Sequence, residues 1–274
     1  MTVSTPLTKE LVGNPTYCRL DIRIGMRSLD VMVYNPLEDN SLLLRHVELS
    51  SDSAEGLKQI ETFIYDNPLL LSEFKVVTAL VESRKFLVVP TALSESCDHV
   101  KLLQEADSDT DSRAVVIEDK LDEFEARILT PVEASIINFL RRTFPNIRLH
   151  NTLYPFTRYC HANLTKGNTS KAFVDIRGKS LDIVVMNSNR LELINRFEYR
   201  EISDAVFYIL KCTDNEEISE ILIGGNREQR DLLMPQLRKF LPYVMPMIFP
   251  SAMFKAGAES MKAPFDLIIL PLCE

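Results

Sequence analysis

The sequence predicts an α/β protein made of two similar lobes, and three observations carry that prediction. Short β-branched runs alternate with stretches of helical spacing along the chain. The order of elements in the first half returns in the second. One segment also recurs: Asp21-Ile22-Arg23, then Gly25, then Ser28-Leu29-Asp30 matches Asp175-Ile176-Arg177, then Gly178, then Ser180-Leu181-Asp182. The copies start 154 residues apart (175 minus 21).

In the first half, residues 17–24 and 28–34 read as strands about a turn at Gly25, and 42–49 as a third strand. Residues 53–65 place Leu57, Ile60 and Ile64 on one helical face, ended by Asn67-Pro68. Strands are expected at 74–81 and 85–89, a helix over 93–103, and strands again at 113–117 and 124–129. Thr130-Pro131-Val132-Glu133 reads as a helix start: a capping hydroxyl, proline in the first turn and glutamate at the capping-box position. That helix is expected to run to about Phe144, before Pro145. The stretch 151–165 fits no single pattern.

The polar stretch 166–170 is the expected boundary, giving a first lobe of 1–168 and a second of 169–274. In the second, strands are expected at 172–176, 180–186 and 191–197, a helix at 201–211, and a strand at 220–223 leading into Gly224-Gly225. A helix follows over 226–241, with Asn226 as cap, Gln229 at the capping-box position and Pro235 bending it. Short final strands are expected at 243–249 and 267–270.

Composition narrows the function classes. The chain has 274 residues, 46% hydrophobic and 26% charged, which is ordinary globular composition. Thirty-one basic against 39 acidic residues give a net charge of −8, which disfavours a nucleic-acid-binding role. No run approaches the ~18 apolar residues of a membrane span, so no membrane span is expected and the default location is cytoplasmic. The five scattered cysteines read as free thiols in a reducing compartment. Cys97 with His99 and Cys160 with His161 lack partners at zinc spacing, and each reads as a buried thiol beside a surface imidazole. No metal site is expected. Asp107, Asp109, Asp111 and Glu118 have calcium-loop spacing, but Ser112 stands where glycine would turn the loop and the run 115–117 is strand-like, so a solvated connection is expected. The stretch from Phe240 to Phe254 is rich in proline, methionine and aromatics; core burial explains most of it, with a partner surface as the functional alternative.

Each hairpin of the repeat carries an aspartate near the end of its first strand and a glycine beside it, which lets backbone N–H groups face an anion. Two such hairpins facing one another would hold a phosphate chain and its Mg²⁺. With Gly224-Gly225 after a strand, this arrangement resembles the actin-like ATPase superfamily, which includes actin and the sugar kinases and is built from duplicated ribonuclease-H-like lobes. The resemblance covers nearly the whole chain in element order and three short segments in detail. It implies phosphate-binding roles for Asp21, Gly25, Asp175, Gly178 and Asp182, and an adenosine-side role for Gly224 and Gly225. The chain is also similar to a small uncharacterised family found in Bacteroidetes, of about this length, assigned an actin-like fold without an established activity.

Arg23, Arg177 and Lys179 depart from that pattern, standing where the superfamily has glycine. They either pair with phosphate or fill the cleft by pairing with Asp21, Asp175 or Asp182. Strand alternation puts Asp21 with Arg23, and Asp175 with Arg177, on one face, so self-pairing is easy. No catalytic residue stands out; Glu133 reads as a capping residue. The expectation is therefore a degenerate phosphate site, a pseudo-ATPase that serves as an interaction or scaffold protein without turnover and without a cofactor. A protein partner is the expected ligand and the oligomeric state stays open. The alternative is a protein that binds ATP with Mg²⁺ in the cleft and works as an ATPase or kinase. A ribonuclease-H-like nuclease is disfavoured, because its acidic pairs would sit in different lobes.

Overall fold

A computed structural model describes residues 13–164, 170–187, 190–214 and 218–273. In chain order the elements are β1 (Arg19–Ile24), β2 (Ser28–Tyr34), β3 (Leu43–Glu48), α1 (Ser53–Tyr65), β4 (Val76–Val81), β5 (Leu87–Pro90), α2 (Thr91–Ser96), α3 (His99–Ala106), β6 (Val115–Leu121), β7 (Ala126–Val132), α4 (Ala134–Thr143) and β8 (Arg148–Asn151). They continue with α5 (Leu153–Ala162), β9 (Ser170–Arg177), β10 (Ser180–Met186), β11 (Leu191–Glu198), α6 (Ile202–Thr213), β12 (Ile218–Gly225), α7 (Arg227–Leu237), β13 (Val244–Pro246), α8 (Ser251–Phe254) and α9 (Phe265–Ile269).

These elements fall into two compact units. Among the described residues the first takes those up to Lys120, Glu125–Tyr154 and Pro250–Ala263; the second takes Leu121–Phe124, Pro155–Phe249 and those from Pro264 on. Of the expected boundary at 166–170, residues 166–169 lie outside the described residues.

The first unit holds a five-stranded sheet in the order β3-β2-β1-β4-β8 and a three-stranded sheet in the order β5-β7-β6. The second holds a five-stranded sheet in the order β11-β10-β9-β12-β13. The two larger sheets have the same plan. Three antiparallel strands form a meander, and a helix (α1 or α6) then carries the chain across to a strand parallel to the first. The central strand of each is covered on both faces. In β1, Leu20, Ile22 and Ile24 pack into an apolar cluster with Ile60 and Ile64 of α1, Leu140 of α4 and Phe144 just after it. In β9, Ala172, Val174 and Ile176 do the same with Ala205 and Ile209 of α6 and Leu233 and Leu237 of α7. Each fully buried aliphatic side chain contributes about 1.5–3 kcal/mol. The opposite face of β1 and β9 carries Asp21, Arg23 and Asp175, all buried. A charge in that position must find a partner within the fold.

The structure differs from the sequence expectation at several elements. Thr130-Pro131-Val132 does not start a helix: β7 runs through Val132, and α4 begins at Ala134 with no side-chain cap. Thr130 is buried, and its Oγ1 accepts a hydrogen bond from Asn151 Nδ2 at 2.8 Å, so tertiary structure claims the presumed capping hydroxyl. Glu133 instead accepts hydrogen bonds from Ser53 Oγ and Ser135 Oγ. The helix expected over 93–103 is broken in two, because Asp98 accepts from the Val100 and Lys101 amides and caps α3. Residues 267–270 fall in α9 and the turn after it, not in a strand. The strand expected at 243–249 shrinks to Val244–Pro246. The helix after Gly225 stops at Leu237, two residues past Pro235. No helix among the described residues is long and apolar enough to cross a membrane.

Candidate functional site

Each unit carries one of the two repeated hairpins, and each hairpin is by itself a candidate site. In the first, Arg23 pairs in register with Asp30, and the turn from Gly25 to Arg27 joins the strands. Asp21 is fully buried and takes a fork from Arg19, two residues earlier on the same face, with Nε–Oδ2 at 3.3 Å and Nη2–Oδ1 at 3.1 Å. Arg23, on that same face, reaches acids of other segments. It donates to Glu82 Oε2 at 2.9 Å and lies 3.7 Å from Asp30. Asp30 Oδ1 also meets His46 Nδ1 at 2.6 Å.

Glu82 has a second role. Its Oε2 accepts the Met26 amide at 3.4 Å, so a carboxylate of the chain occupies a backbone donor of the turn. Gly25 is required by this crowding. A Cβ there would meet Arg23 Nη1 at 2.6 Å, Ser28 Oγ at 2.7 Å and Glu82 Oε2 at 3.2 Å.

The second hairpin is tighter. Asp175 pairs in register with Asp182 and Arg177 with Ser180, leaving the two-residue turn Gly178-Lys179. Gly178 has φ +49 and open space around it, so its glycine serves the backbone conformation. Arg177 lies 3.3 Å from Asp175 and forms ion pairs with both Asp182 and Asp266. Arg196 of β11 holds Asp182 from the other side, with Nε–Oδ1 at 2.5 Å and Nη2–Oδ2 at 2.7 Å. Three buried carboxylates and two guanidinium groups thus form one network, in which most of the ionic charge is offset internally. Lys179 takes no part: its ammonium donates to the Arg200 carbonyl at 2.7 Å.

Gly224 and Gly225 close β12 beside that network. Gly225 has φ +89, and a Cβ on it would run into the Ile176 carbonyl and meet Asp175 Oδ1 at 2.6 Å. Asn226 then caps α7, its Oδ1 accepting the Gln229 amide at 3.1 Å. The Gln229 side chain turns away from a capping box and donates to the Gly178 carbonyl. Beside Gly224 the space is filled by apolar groups: a Cβ would meet Met247 Sδ at 2.9 Å and Phe265 Cδ1 at 3.7 Å.

The sequence reading missed Arg19, Glu82, Arg196 and Asp266. Arg19 was legible, since period two puts it on the face of Asp21. Asp266 left a fainter sign, a single acid inside the apolar run 264–270. Glu82 and Arg196 are ordinary charged residues until the sheet register brings them to the hairpins.

Other candidates resolve differently. Cys97 is exposed, contrary to the expected buried thiol, and His99 is half-buried, its Nε2 2.9 Å from Ser94 Oγ. Cys160 is buried, and His161 packs its ring on Phe124 at 5.0 Å. Burial pushes the Cys160 thiol well above its ordinary value. Of the calcium-spaced acids, Asp107 pairs with Lys85, Asp111 with Arg113, and Glu118 with Arg127. Among the described residues, no group of three or more histidine, cysteine, aspartate or glutamate side chains is arranged to hold a metal ion.

The architecture places the protein in a class: an α/β chain of two ribonuclease-H-like lobes with the actin-like ATPase fold. The chain aligns over 95% of its length with 97% of a Bacteroides thetaiotaomicron protein with actin-like ATPase fold and unknown function, at TM-score 0.77 and 21% identity. It aligns over 93% with 97% of a chain of the PilM-PilN type IV pilus biogenesis complex, at TM-score 0.54 and 11% identity. It aligns over 95% with 94% of the ethanolamine utilization protein EutJ from Carboxydothermus hydrogenoformans, at TM-score 0.50 and 9% identity. Within that class, residues 10–244 match the family described as "Protein of unknown function (DUF3822)", and the chain belongs to it. No curated protein matches the chain.

Proposed function

We propose that this protein is an interaction or scaffold protein on an actin-like fold, working in the cytoplasm without nucleotide turnover. In this reading the lobes run over 1–168 and 169–274, and each has lost its phosphate loop to its own side chains. The observation that carries it is Arg177 among Asp175, Asp182 and Asp266. A phosphate site needs those carboxylates for Mg²⁺ and water, and needs backbone amides open toward the anion. Here guanidinium groups hold the carboxylates, and Glu82 holds the Met26 amide. The donor set in this arrangement does not fit a nucleotide phosphate with its Mg²⁺. The PilM-PilN neighbour is an instance of this fold within a protein complex, and a protein partner is the ligand this reading expects.

The test is calorimetric titration of the protein with ATP and Mg²⁺, with Asp175→Ala as control. No heat at millimolar nucleotide is the expected result. Saturable binding below about 100 μM, some 5.5 kcal/mol, lost in the control, overturns the reading. It would establish the alternative, an ATP-binding protein that uses Asp21, Asp175, Asp182 and the Gly224-Gly225 turn with Mg²⁺.

A further inference from the structure

The edge of the second unit's sheet at β13 joins three features that the nucleotide question does not touch. First, its side chains are apolar and exposed: Phe240 is 64% exposed, Tyr243 62%, Met245 39% and Ile248 83%. Tyr243, just before the strand and bonded to β12 through its carbonyl, and Met245 are two apart and so share a face. Four such residues within nine positions are more than isolated surface hydrophobics.

Second, the backbone of this edge is partly closed. The Tyr243 carbonyl accepts from Ile221 and the Met247 amide donates to Ile223, so the odd-numbered residues bond inward to β12. Val244 and Pro246 therefore present their backbone groups outward. The Val244 carbonyl is covered by Arg238, whose Nε and Nη2 donate to it at 3.1 and 2.9 Å. Pro246 has no amide hydrogen. An incoming strand would find neither the acceptor at 244 nor the donor at 246. With that acceptor covered and that donor missing, this edge is a poor template for β-addition, which favours docking through side chains.

Third, the local charge is opposite to that of the chain. Between Leu232 and Phe249 the only charged residues are Arg238 and Lys239, in a protein whose net charge is −8.

We infer that Phe240, Tyr243, Met245 and Ile248, flanked by Lys239, form a docking surface for an amphipathic helix of a partner protein with acidic residues beside its apolar face. A helix satisfies its own backbone bonds and so needs nothing from the partly closed edge. Acidic flanks complement Arg238 and Lys239, and the net charge of −8 disfavours their contact with the protein elsewhere, which gives the contact its selectivity. The inference deepens the interaction reading above by naming a surface and a partner chemistry.

The full chain is panned against a random peptide library, and the enriched peptides are measured against Ile248→Asp, Tyr243→Asp and, as a control at an exposed apolar residue of the first unit, Leu37→Asp. All three positions are exposed, and circular dichroism confirms folding of each variant. The expected result is enrichment of acidic sequences with helical apolar spacing. Affinity should fall by about tenfold or more in the first two variants and hold in the control. Enrichment of basic or strand-patterned peptides, no enrichment, or binding indifferent to Ile248→Asp overturns the inference. Binding to phosphatidylserine vesicles that Ile248→Asp abolishes assigns the surface to a membrane and overturns it too, as does a concentration-dependent dimer that the same variant dissociates. ATP binding in the calorimeter would retire the turnover-free reading and leave this surface standing.

Discussion

The Arg177 guanidinium lies 3.3 Å from the Asp175 carboxylate, two residues earlier on the same face of β9. The first acid of the repeated segment is thereby held by the residue that replaces a glycine of the resembled motif. Removing that cation leaves Asp175, Asp182 and Asp266 buried together, with Arg196 bonded to only one of them among the contacts described. Arg177→Ala is expected to cost about 3–5 kcal/mol in urea unfolding, the usual range for breaking a buried pair. A loss under 1 kcal/mol would mean that the network relaxes, and that Arg177 does not hold it.

The two glycines at left-handed positions near this network separate strain from crowding. Gly178→Ala meets open space and pays for the backbone conformation alone, about 1–2 kcal/mol. Gly225→Ala adds a clash with the Ile176 carbonyl and a 2.6 Å contact with Asp175 Oδ1, so its loss should exceed that of Gly178→Ala by at least about 1 kcal/mol. Equal losses in denaturant titrations would show that the Gly225 turn opens freely.

A buried acid outside the hairpins predicts a pH dependence. Asp119 accepts from His150 Nδ1 at 2.6 Å and from the Asn151 amide at 2.7 Å. Burial outweighs those contacts and raises its carboxyl above the ordinary 3.8, with Glu118 adding to the rise. Because the folded value is raised, the stabilising contribution is fully present below the unfolded value. It is lost as pH climbs through the folded one. Asp119→Asn keeps an acceptor for Asn151 and cannot ionise. Its melting temperature relative to wild type should therefore improve as pH rises from about 4 toward 7. A difference that stays flat over that range would refute the raised carboxyl.

Thiol reactivity should follow burial. Cys97 is exposed, while Cys18, Cys160 and Cys273 are buried, and burial pushes the Cys18 and Cys160 thiols up. A disulfide reagent added to native protein should label Cys97 within the first phase. The buried three should react only on unfolding, as read by mass spectrometry of the labelled peptides. Early labelling of Cys160 would contradict the packing of α5 on β9.

Much of the architecture was legible because it is periodic. Alternation marked β1, β2, β9 and β10, and helical spacing marked α1 with the bounds the structure has. Local patterns failed where a distant residue took the group they relied on. Thr130 looked like a cap until Asn151 bound it, and the Leu267–Leu270 stretch looked like a strand although it coils under Asp266.

By itself, the sequence determined the repeated hairpins and the sharing of one face by acids and arginines, because both follow from a side-chain period of two along a strand. Only the tertiary structure decided which acid each arginine holds. Arg23 turns to Glu82, 59 residues away, and Arg177 reaches Asp266, 89 residues away. A buried charge takes whichever counter-charge the packed chain brings within reach, and that neighbour is set by how strands and helices assemble, not by the residues beside it.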